Sequence, residues 1–156
     1  MNGCENMANK KMSEEEKRDW QELYEYVKRI MNYDENQALT RNMILRLKGL
    51  LNNKFMANKN IKSTANYSYK HILNTFKLCY PQIQKALRTN IFKDENHKFL
   101  YITKIVENNI NDVYIRMKNS EKAKEDAKNT TIKEQTHSGA EFKPREKNKD
   151  KFYDLW

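Results

Sequence analysis

Three histidines, two cysteines and the acid pair beside one of those histidines are the residues that could carry metal or acid–base chemistry in this chain, and their spacing argues against it. His71, His97 and His137 have no companion at a ligand spacing, and Cys4 and Cys79 lie too far apart in sequence to complete a zinc site. Asp94, Glu95 and His97 read as helix-start residues more than as an acid–base set. With three glycines in 156 residues, neither a phosphate loop nor a dinucleotide fingerprint can be built. No catalytic residue, metal ligand or cofactor is expected, and a non-enzymatic protein is the reading.

The chemistry that the residue types do suggest is contact with polyanions. The formal net charge is +9, which favours nucleic acid, an anionic membrane surface or an acidic protein and excludes a DNA mimic. The charge is unevenly placed. Residues 36–93 hold eleven Lys or Arg and no acid. At the chain's average of 21 acids in 156 residues, about eight would fall there. With 20 Asn and 23 Lys, biased composition explains many lysines but not the missing carboxylates, which are plentiful on both sides. The competing explanation is a solvated basic face balanced by the acids of the first helix, Glu14, Glu15, Glu16, Asp19, Glu22 and Glu25.

At the centre of this segment is FMANKNIKSTANYSYK, residues 55–70. Lys54, Lys59 and Lys62 can follow a phosphate backbone, with Lys70 beyond them, and such binding would be salt-dependent and largely sequence-independent. Tyr67 is the candidate platform for an unpaired base. Tyr69 shares the helical phase of Ile72, Leu73 and Phe76 and belongs to the core.

These residues must be positioned by helices. Two prolines and three glycines give little material for β turns, whereas apolar residues recur every three or four positions. Ser13 with Glu16 reads as a capping box, and Trp20, Leu23, Tyr24, Val27, Ile30 and Met31 form the stripe behind it. Thr40 caps a second helix with Met43, Ile44, Leu47, Leu50 and Leu51 inward. Residues 52–66 lose the pattern and form a loop. A third helix starts after Ser68. Pro81 either opens a short fourth helix or kinks a continuing one. The longest helix starts at Asp94 or Asn96 and carries Phe99, Ile102, Ile105, Val106, Ile110, Val113, Tyr114 and Met117 along one side.

The expectation is an all-α bundle of about five helices over residues 13–118. A flexible leader, 1–12, precedes it and a disordered charged tail, 119–156, follows. The tail holds nine Lys or Arg and eight Asp or Glu and ends in FYDLW. There Phe152, Tyr153, Leu155 and Trp156 could dock a partner as a short peptide that folds on binding. No apolar run is long enough to span a membrane. The absence of a secretory signal and the two separated cysteines fit a reducing cytoplasm.

With the long helix placed, KFLYITKIVENN, residues 98–109, resembles the signature of the DnaD-like family. That family comprises primosome proteins and phage replisome organisers of low-GC Gram-positive bacteria. Tyr101 and Ile105 stand at its tyrosine and isoleucine positions, Ile102 and Val106 at the flanking apolar ones, and Asn109 replaces its tryptophan. The resemblance implies a helical module that binds single-stranded or unwinding DNA and helps recruit a helicase loader. It assigns DNA contact to Tyr101, with Lys98, Lys104 and Arg116 as basic neighbours. The family's winged-helix domain is not seen here, which implies an accessory role. The alternative is a phage-encoded interaction module or inhibitor that grips an acidic host protein surface.

Overall fold

The structure, a computed structural model, describes residues 11–134, which hold four helices and no strand. The chain divides into a first unit, Met1–Asn119, and a second, Ser120–Trp156.

Helix α1 (Glu14–Met31) starts with the expected capping box. The Glu16 amide donates to Ser13 Oγ, and the Ser13 amide donates to the Glu16 carboxylate at 2.9 Å. Three glutamates occupy its first turn, and Lys28 and Arg29 its last, as the helix dipole favours. Asn32 ends it at φ 60°, a left-handed conformation that asparagine tolerates. Helix α2 (Arg41–Leu51) is capped by Thr40, whose Oγ1 accepts the Met43 amide. Asn53, also left-handed at φ 61°, turns the chain out of it. Here Gly49 lets the backbone fold back closely, since a Cβ would sit 3.0 Å from the Lys54 carbonyl oxygen.

Helix α3 (Tyr69–Thr89) is one element and contains Pro81. Four helices therefore replace the expected five. A proline removes one helical hydrogen bond and clashes with the preceding turn, but Cys79 and Ile83 on either side bury their side chains and hold the helix together. Ser68 caps α3, and its amide donates to His71 Nδ1 at 3.1 Å. His71 thus closes a capping box.

Helix α4 (Glu95–Glu134) starts where expected, with Asp94 Oδ1 accepting the His97 amide at 2.7 Å. It runs on through EKAKEDAK, a stretch of the charged tail where the sequence allows a helix to continue but offers nothing to bury it. In the second unit, side chains 120–130 are exposed.

One core joins all four helices in the first unit. Leu23, Val27, Met43, Leu47, Ile72, Phe76, Ile83, Phe99, Ile102, Val106 and Ile110 are almost fully buried. These are the positions that the stripes mark out. Met12, placed in the leader by sequence, packs against this core. Cys79 is buried there as well, and burial pushes its thiol pKa up, so it is an unreactive apolar filler. Among the described residues, no helix is long and apolar enough to cross a membrane.

Candidate nucleic-acid interface

The loop between α2 and α3 is tied down along its length by side chains of α4. Glu107, one of few buried charges at 2% exposure, points its carboxylate into the loop. Its Oε1 accepts the Met56 and Ala57 amides at 2.9 and 3.1 Å, and its Oε2 accepts the Asn58 amide at 2.6 Å. Burying a carboxylate is costly, and three amides converging on it supply the compensating hydrogen bonds.

Two asparagines extend the clasp. Asn58 Nδ2 donates to Asn108 Oδ1 at 2.7 Å. Asn111 Oδ1 accepts from Thr64 and from the Tyr67 hydroxyl, while its Nδ2 donates to the Lys62 carbonyl at 3.0 Å. At the loop's base, Asn53 donates to Asn66 at 2.7 Å. Sequence reading missed Glu107, Asn108 and Asn111. A faint signal existed: Glu107 falls on the Thr103 side of an apolar face, where a charge needs a partner.

This clasp fixes the backbone and leaves the ammonium groups outside. Lys54, Lys59 and Lys62 are exposed. Lys104 is also exposed and lies on the stripe of α4 that continues to Asn108 and Asn111, at spacings of four and three. The seam between loop and α4 thus has Lys59 and Lys62 within its clasped backbone, Lys54 two residues before Met56, and Lys104 one helical turn before Asn108. Ion pairs join Lys17 to Glu14 and Lys77 to Glu22. The second joins α3 to the acidic face of α1, so the balanced-face explanation accounts for Lys77. It does not account for the seam lysines.

The other expected contacts are scattered. Lys70 is exposed at the start of α3. Lys98, Ile105, Asn109 and Arg116 form a different stripe of α4, on the flank where Asn109 meets Gln82 of α3. Lys98 also donates to the Met31 carbonyl at the end of α1, at 3.4 Å. Tyr101 is 39% exposed, with Phe92 edge-on at 5.9 Å.

Tyr67 is a correction. Its ring is 4% exposed, stacked on Phe55 and edge-on to Tyr114, with its hydroxyl on Asn111. No face is left for a base, because its hydroxyl and ring together close the loop over α4. Tyr69 is core, as its phase predicts, and burial raises its pKa, with Glu16 adding to the effect. Phe152, Tyr153, Leu155 and Trp156 lie outside the described residues.

Nothing in this arrangement resembles a metal centre: no three His, Cys, Asp or Glu side chains gather at one point among the described residues. What the geometry offers is a hydrogen-bonded, cation-bearing seam.

No curated protein and no solved structure matches the chain. One family model does, over residues 2–155, and its description is SPbeta prophage protein YorH. A phage family is what the sequence suggested, although it is a different family from the DnaD-like one that residues 98–109 resemble. The chain thus belongs to the phage family of SPbeta prophage protein YorH.

Proposed function

We propose that this phage protein is a non-enzymatic DNA-binding accessory factor of replication, acting in the cytoplasm on single-stranded or unwinding DNA. The observation that carries the reading is the seam. Its backbone is held by Glu107, Asn108 and Asn111, while Lys54, Lys59, Lys62 and Lys104 stand exposed in or beside a segment without acids. A fixed backbone presenting mobile ammonium groups suits phosphates, which demand charge more than exact geometry. The DnaD-like stretch around Tyr101 supports the same partner class. Phe152, Tyr153, Leu155 and Trp156 would engage a replisome or helicase-loader protein.

Titrating labelled single- and double-stranded oligonucleotides at several salt concentrations tests this directly. The triple variant Lys54→Glu, Lys59→Glu, Lys62→Glu should lose most of its affinity. Its salt slope should flatten by about three, and its melting temperature should barely move, since exposed substitutions usually change stability by about 0.5 kcal/mol or less each. A triple variant that binds like the wild type removes the seam from the interface. An acidic host protein is the second reading: the exposed loop lysines suit carboxylates as well as phosphates, and Ile91, 97% exposed, would add an apolar contact. Wild-type protein that binds no oligonucleotide at low salt would leave that reading standing.

A further inference from the structure

A second cationic surface lies away from the seam, around Tyr80 of α3. This ring is 44% exposed and is shared by three adjoining clefts. The largest, about 830 Å³, is formed where the end of α1, the second half of α3 and the start of α4 meet. Arg29, Gln84, Phe92, Lys93 and Lys98 share its wall with Tyr80. On another side, a cleft of about 460 Å³ is lined by Pro81, Lys85 and Arg88.

Cations dominate this surface. Arg29, Lys85, Arg88, Lys93 and Lys98 face two acids, Asp94 and Glu95. Both acids have partners within the fold, Asp94 through the His97 amide and Glu95 through the Tyr33 hydroxyl at 3.4 Å. Aromatic rings stand among the cations. Phe92 shares the wall of the larger cleft with Tyr80 and meets Tyr101, 39% exposed, edge-on. An acidic protein surface would be recognised by the cations alone. Tyrosine faces set among cations match a chain of alternating bases and phosphates.

We propose that the groove around Tyr80 binds single-stranded nucleic acid, with one base stacked on Tyr80 and adjoining phosphates against Lys85, Arg88 and Lys93. The inference rests on the nucleic-acid reading above and deepens it. The seam offers phosphate contacts only, because Tyr67 is buried. Tyr80 supplies the base contact that separates unpaired strands from duplex, whose bases are already stacked on each other.

The full-length protein, an oligo(dT) strand and a duplex of the same length form the test. Loss of one stacking platform lowers single-strand affinity by roughly 5- to 150-fold. Tyr80→Ala should show that loss on oligo(dT) and almost none on duplex, while Tyr80→Phe keeps wild-type affinity. A strand carrying 5-iodouracil should photocrosslink to the peptide containing Tyr80. Circular dichroism and melting curves should show both variants folded, as expected for a ring 44% exposed. If wild-type protein binds the strand but Tyr80→Ala binds equally well and crosslinks map elsewhere, the groove is overturned and the seam reading survives. If wild-type protein binds no oligonucleotide at low salt, both fall together.

Discussion

Glu107→Gln is the sharpest perturbation of this fold, because it keeps the side chain's shape and removes its charge. The carboxylate takes three amides, two on one oxygen and the Asn58 amide on the other at 2.6 Å. A glutamine oxygen can keep the Met56 and Ala57 amides, but its NH₂ group would then face the Asn58 donor. An unsatisfied buried donor costs about 1–3 kcal/mol, and the two retained bonds lose their charge assistance, about 1 kcal/mol more. The expected loss is therefore about 2–4 kcal/mol. With a urea slope of about 1–3 kcal/mol/M, the unfolding midpoint falls by on the order of 1 M.

Hydrogen exchange at amides 56–58 should accelerate, alone if the loop opens locally and together with the core amides if it opens with the whole domain. The same variant separates positioning from charge in binding. Its net charge rises from +9 by one, so electrostatics alone predicts tighter binding to DNA, whereas a loosened seam predicts weaker binding. Unchanged exchange at 56–58 together with an unchanged midpoint would refute the account of the clasp.

Two further outcomes follow from local geometry. Gly49→Ala gains about 1 kcal/mol of helix propensity, yet its Cβ would press on the Lys54 carbonyl at 3.0 Å. The Lys54 amide, bonded to the Gly49 carbonyl at 2.8 Å, stops that turn from backing away. A net loss of about 1–2 kcal/mol should appear in urea melts, and a stabilised variant would contradict the close approach. Tyr69 titrates above its ordinary 10.0 in the folded state, so folding favours the neutral ring. That stability is present below pH 10 and is lost as pH rises through the folded pKa. Tyr69→Phe should therefore lose less stability than wild type between about pH 9 and pH 11, and equal losses would count against the burial effect.

The apolar stripes made the helices and most of the core legible, because period alone decides which residues face inward. Pro81 was ambiguous, since a proline can either start a helix or sit inside one, and only the burial of Cys79 and Ile83 around it decides. Tyr67 was misjudged for a related reason. It precedes α3, so no helical phase applied to it, and its burial comes from Phe55, Tyr114 and Asn111, distant in sequence. The abundance of asparagine looked like composition alone. In fact Asn32 and Asn53 occupy left-handed turns, and Asn58, Asn108 and Asn111 tie the loop to α4. Tyr80 drew no notice because its neighbours Arg29 and Lys98 belong to other helices, outside the acid-free segment.

The anchors of the lysine loop also bear on when it can form. Met56 finds its partner 51 residues later, at Glu107, and Lys62 finds its own 49 residues later, at Asn111. At about 5–20 residues per second, a ribosome has left the loop unanchored for several seconds before α4 emerges. Closing so long a segment also costs entropy that only the docked helix repays. The seam is thus assembled last, after α1, α2 and α3 can already have met. A chain broken off before Glu107 would keep every loop lysine and lack the means to hold them in place.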